Sequence, residues 1–141
     1  MPNLMVFGLM EIEQYSGSYS LSSTKFSRHD MTSFELSVNS DVINGFPLEQ
    51  EGVNSIQFYH RYLRDTNRLD NPFCTTVLTQ AQYDNSNFMI VHNFENDETQ
   101  EGQLSCKIKF KEPLDKKLIL LYMPVSEKRL HFDVNFNVVK Q

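Results

Sequence analysis

Glycine, cysteine and net positive charge are all scarce in this chain. Among 141 residues there are 5 Gly and 2 Cys, and 13 Lys and Arg stand against 18 Asp and Glu. With 11 Phe and 6 Tyr beside so few glycines, the composition argues against a disordered or linker-like chain. The formal charge of -5 supplies no basic face of the kind that phosphate binding needs, so direct nucleic-acid binding is not expected. The two cysteines, Cys74 and Cys106, decide little; Cys106 reads as a small buried hydrophobe, and a bridge between the two is left open. No Asn-x-Ser/Thr acceptor occurs. The apolar start, Leu4 to Met10, has no basic flank and runs into Glu11 and Glu13, unlike a signal peptide, and every apolar run is far too short to cross a bilayer. No membrane partner is expected, and a reduced intracellular setting fits best. Repeats, low-complexity tracts and a domain-scale linker are absent too, which leaves a single domain over 1–141. A domain of that size removes roughly 68% of its unfolded surface from water, enough for an independent core.

What is present is alternation, clearest from Gly102 to Val139. Leu104, Cys106, Ile108 and Phe110 alternate with Ser105, Lys107, Lys109 and Lys111, the period of a strand with one wet face. Pro113 closes that strand and Asp115-Lys116-Lys117 makes a polar turn. Leu118 to Met123 is apolar on both faces, ends at Pro124, and is expected to be a strand buried on two sides. Leu130, Phe132, Val134, Phe136 and Val138 then alternate with His131, Asp133, Asn135 and Asn137 as a third strand. Three strands joined by short turns predict an antiparallel sandwich or barrel.

Toward the N-terminus, Leu4 to Ile12 is apolar enough for a central strand, with Gly8 marking a bulge or the close approach of another backbone. Gln14 to His29 reads as a long loop with one apolar anchor, Phe26. Met31 to Val38 alternates as a second strand. Asn44-Gly45 signals a turn, and Phe46 stays extended before Pro47. From Val53 to about Thr66 the period changes: Val53, Ile56, Tyr59, His60 and Leu63 recur at spacings of three and four, with Gln57, Arg61, Arg64 and Asp65 on another face. That predicts one inserted amphipathic helix, about 53–66. Phe73 to Leu78 reads as extended, Asn87 to Phe94 as another strand, and Glu95 to Glu101 as an acidic loop.

Taken in order, these pieces resemble the C-terminal half of a double jelly-roll major capsid protein, of the kind encoded by Polinton-like elements and adintoviruses. The residues that carry the resemblance are Pro2 to Leu9, Gly17-Ser18-Tyr19-Ser20-Leu21 with Phe26, Phe34 to Asn39 before Gly45-Phe46-Pro47-Leu48, Ile56 to Leu63, and Phe88-Met89-Ile90-Val91. Gly102, Leu104, Ile108, Phe110 and Leu114 match best, followed by a strand with Tyr122 and a closing strand ending in Asn137-Val138. His92-Asn93-Phe94 stands where the family tends to have Phe-Asp-Leu. The resemblance implies an all-β antiparallel jelly-roll sandwich and a structural, non-enzymatic role in a virion or inside a host cell, in the cytoplasm or nucleus. Family members carry two jelly rolls per chain and form trimers, whereas this chain has room for one. The expectation is therefore a homo-oligomer, a trimer, or pairing with a separate first jelly-roll protein, through an edge left open by a strand that would precede Pro2. The alternative is a host-adopted jelly-roll module that recognises a protein or glycan, or interferes with assembly, with an aromatic patch at Tyr15 and Tyr19.

Competing chemistry is thin. His29, His60, His92 and His131 have no metal-ligand spacing and read as surface or satisfied structural histidines. His29-Asp30 is an acid-base neighbour pair in a polar loop, and Cys74 has no nucleophile signature around it. Glu95, Asp97, Glu98 and Glu101 lack the glycine and spacing of a calcium loop, and Lys107, Lys109 and Lys111 are the wet side of a strand. Phe58, Tyr59 and Tyr62 are expected to pack against a sheet. No catalytic residue, cofactor or metal site is assigned.

Overall fold

The computed structural model describes residues 2–52, 54–69, 78–94 and 102–126, with the backbones of 131–132 and 138–139. In chain order the elements are β1 (Leu4–Glu11), α1 (Ile12–Ser16), β2 (Met31–Val38), β3 (Asp41–Val42), β4 (Leu48–Glu49), α2 (Ile56–Asp65), α3 (Gln80–Ser86), β5 (Ile90–Asn93), β6 (Leu104–Phe110), β7 (Leu118–Val125), β8 (His131–Phe132) and β9 (Val138–Val139). Strands dominate, in two antiparallel sheets and the separate β8·β9 pair. One has the order β5-β1-β7; in the other β2 pairs with β6 along its length and with the short β3 and β4. The sheets meet through Phe7 of β1 and Phe34 of β2, whose ring centroids lie 5.2 Å apart. The result is an all-β sandwich with few helices.

Period-2 alternation explains most of the packing. Met5, Phe7 and Leu9 of β1 are buried, and Phe34, Leu36 and Val38 of β2 face them. A register shift in β2, where Met31 opposes Phe110 and Ser33 opposes Lys109, skips Thr32 and brings Met31 into the same core. On β6, Ser105, Lys107 and Lys109 are exposed and the residues between them half-buried, as the alternation predicts. Asn39 and Ser40 take φ of 52° and 77°, the two left-handed positions of a tight hairpin turn into β3.

Several expectations are corrected. The described residues hold three helices rather than one. α2 falls inside 53–66, but it buries Phe58, Arg61, Tyr62 and Asp65 rather than the face of Ile56, Tyr59 and Leu63. α1 opens the segment read as loop, where Glu11 N donates to Gln14 Oε1 at 2.8 Å. Buried Gln14 then ties that loop down by donating to the carbonyls of Ser22 and Lys25. α3 starts at a capping box: Thr79 Oγ1 accepts from Gln82 N, and Thr79 N donates to Gln82 Oε1. Gly8 sits in unbroken register opposite Leu121, with no bulge; what approaches it is a ring, since a Cβ there would lie 2.7 Å from Phe26 Cδ1.

The stretch read as three successive strands is also rearranged. β6 and β7 do not pair with each other; residues 111–117 carry the chain from one sheet to the other. β7 continues through Pro124 to Val125, and it is not buried on two sides: it lies at the rim of its sheet, with Tyr122, Met123 and Val125 exposed. His131–Phe132 pairs antiparallel with Val138–Val139, so these residues do not lie in one strand. β1 is paired with β7 from Leu4 to Glu11 and with β5 over residues 4–7, so the edge expected beside its first half is occupied. The extended piece predicted at Phe73 and the acidic loop at Glu95 to Glu101 lie outside the described residues.

Candidate functional site

The densest polar cluster is buried where α2 crosses β5. Phe58 and Tyr62 hold the helix in the core, packing on Phe88 and Tyr83, and their spacing carries Arg61 and Asp65 inward with them. Arg61 Nε lies 2.5 Å from Asp65 Oδ2, Arg61 Nη2 lies 2.5 Å from His92 Nδ1, and Arg61 Nη1 donates to the Gly45 carbonyl at 3.3 Å. Arg64 Nε donates to the other carboxylate oxygen at 3.0 Å. The Arg61, Asp65 and His92 side chains are 5%, 7% and 2% exposed, so the charges are hydrogen-bonded and shut away from water.

Aromatic rings complete the enclosure. The Arg61 guanidinium stands 4.6 Å from the centre of the Phe46 ring, and the His92 ring meets Phe46 and Phe94 edge-on. Gly45, at φ +83°, is required at this point: a Cβ there would collide with Arg61 Nη1. Burial alone would raise the Asp65 pKa; the His92 ring and the guanidiniums of Arg64 and Arg61 outweigh it and hold the carboxyl below its ordinary range. The arrangement joins the Gly45 turn, α2 and β5 by one set of charges. An open cleft of about 580 Å³ meets the cluster, lined by Gly45, Leu48, Ile56, His60, Arg61 and Arg64.

The residues named from sequence are dispersed. His60 is exposed on α2. His29 and Asp30 both have positive φ; His29 Nε2 is buried without a partner, and burial lowers its pKa against the opposing pull of Glu11. Cys106 is a free thiol whose pKa burial pushes up to about 11. Lys107 stands 4.0 Å from Glu35 on the wet face. Tyr59 and Tyr62 pack on Tyr83, and the Tyr59 hydroxyl donates to the Leu78 carbonyl at 2.6 Å. Tyr15 and Tyr19 are exposed. Cys74, the acidic residues of 95–101 and the His131 side chain lie outside the described residues, and no group of three or more potential metal ligands occurs among the rest.

Arg61 and Asp65 were missed as interior residues because a charged i,i+4 pair ordinarily marks the solvent face of a helix. The signal that places them inside is the second apolar stripe, Phe58 and Tyr62, which continues through them at the same spacing. No family model matches this chain, and no curated protein or solved structure is significantly similar to it.

Proposed function

We propose that this chain is a capsid or capsid-derived assembly subunit that works non-enzymatically, by β-sandwich association, in a virion or inside a host cell. The observation that carries the reading is the nesting of the strand pairs. β1 pairs with β7 in one sheet, and inside that pair β2 pairs with β6 in the other. A long antiparallel hairpin rolled over on itself gives such nesting, which supports a jelly roll; the β1·β5 pair stands outside it. The whole-chain resemblance set out above points the same way. The buried cluster supports a structural role, since its charges neutralise one another and tie α2, β5 and the Gly45 turn together.

Exposed Tyr15 and Tyr19 favour one second reading, a jelly-roll module that binds a protein or glycan. Light scattering after size exclusion, over a range of concentrations, separates the two. The assembly reading expects a trimer or another defined oligomer, and a strict monomer at high concentration refutes self-assembly by this chain.

A further inference from the structure

The backbone polarity of β7 follows from a single hydrogen bond. Ile12 N donates to the Lys117 carbonyl at 3.1 Å, which makes Ile12 and Lys117 a hydrogen-bonded pair of the β1·β7 ladder. Antiparallel pairs alternate, so Ile119, Leu121, Met123 and Val125 turn their N–H and C=O toward β1, while Leu118, Leu120, Tyr122 and Pro124 turn theirs away. Pro124 thus occupies a position where a missing N–H costs β1 nothing. Leu118, Leu120 and Tyr122 present complete donor and acceptor pairs on the outer edge, and among the described residues no strand pairs with them.

The other sheet edges among the described residues are shorter or guarded: residues 8–11 of β1 lack a strand on the β5 side but span four residues and end at a charge. α2 packs against β5, β3 and β4 are two residues each, and β6 carries Lys107 and Lys109, which would meet like charges in a second copy. β7 has eight residues without a charge. Its Tyr122 lies opposite buried Phe7, on the same face of the sheet, yet is 67% exposed.

We propose that the outer edge of β7 is the surface by which two copies of this chain pair, antiparallel about a two-fold axis at Leu120; the inference rests on the assembly reading above and names its contact. In that register Leu120 opposes its own copy and Leu118 opposes Tyr122, giving three hydrogen-bonded pairs and about six main-chain bonds. Lys116 falls opposite Pro124 and Lys117 opposite Met123, so no charge meets a like charge. Pairing joins the β5-β1-β7 sheets of two copies into one and covers Tyr122 with the partner's Leu118.

Tyr122→Pro tests this, because it deletes an outward N–H and leaves the β1 ladder as intact as Pro124 does. Sedimentation velocity on the full chain is expected to show association of the unaltered protein, weakened about tenfold or more by Tyr122→Pro, with Cys106→Pro, which deletes an outward-facing N–H of β6, as the comparison. Tyr122→Lys keeps the backbone and is expected to weaken association as well, which covers the case that the proline variant does not fold. Association unchanged in both Tyr122 variants, or a closed trimer, which a two-fold contact cannot build, overturns the β7 contact and leaves the assembly reading standing. An unaltered chain that is monomeric at every concentration overturns the contact and self-assembly together.

Discussion

Removing the Asp65 carboxylate exposes how much of the fold hangs on the buried charges. Asp65→Ala takes the carboxylate away from the Arg61 guanidinium, in a site 5% open to water where the guanidinium also meets His92 and the Gly45 carbonyl. Breaking a buried pair in this way costs about 3–5 kcal/mol, because the surviving charge keeps its desolvation penalty without its partner. For a chain of this size that lowers the melting temperature by roughly 10–15 °C. Replacing both partners with apolar residues, Arg61→Met with Asp65→Leu, is expected to recover most of the loss, since the pair's attraction is then no longer needed to offset desolvation. The sign with pH follows from the lowered pKa. Asp65 ionises below its ordinary 3.8 in the folded state, so its contribution is fully present above that value and is lost as pH falls through the folded pKa. Urea unfolding followed by circular dichroism, on Asp65→Asn and the parent protein, is expected to give a stability difference that is constant above about pH 5 and shrinks in acid. A loss for Asp65→Ala under about 1 kcal/mol, or a difference for Asp65→Asn that persists unchanged in acid, refutes the account of a closed ionic cluster.

Two further outcomes test the core and its edge. Gly8→Ala drives a methyl into the Phe26 ring, and a loss of about 1–3 kcal/mol is expected in thermal unfolding. That loss should be smaller in a Phe26→Ala background, and equal losses in both backgrounds would show that the ring is not the obstacle. With its pKa raised from 9.0 to about 11, Cys106 is expected to react with iodoacetamide at pH 8 about a hundredfold more slowly than in urea, as followed by peptide mass spectrometry. Equal native and unfolded rates would contradict its half-buried position on β6.

The strands that alternate cleanly were legible in the sequence because period 2 is local information. Met31–Val38 and Leu104–Phe110 need only their own residues to define a wet and a dry face. Thr79 and Gln82 carry a capping box in plain view, and the helix of 80–86 follows from it. The cluster was illegible for a different reason. Asp65 and Arg61 are adjacent along α2, but His92 and the Gly45 carbonyl reach them only after β5 and the turn before Pro47 have folded against that helix.

What the sequence determined by itself is therefore the strand character of this chain, the faces of its alternating strands and the absence of any helix long and apolar enough to cross a membrane among the described residues. Tertiary structure alone decided which strands pair. Leu118–Val125 is apolar on both sides and nothing in its own residues separates a central strand from a rim strand; its place beside β1, with Tyr122 left open, depends on where β6 and 111–117 have already taken the chain. The same holds for Arg61 and Asp65. Helical periodicity offers two apolar stripes, and the choice between them is made by the area Phe58 and Tyr62 bury against Phe88 and Tyr83, which outweighs the cost of taking a neutralised ion pair inside.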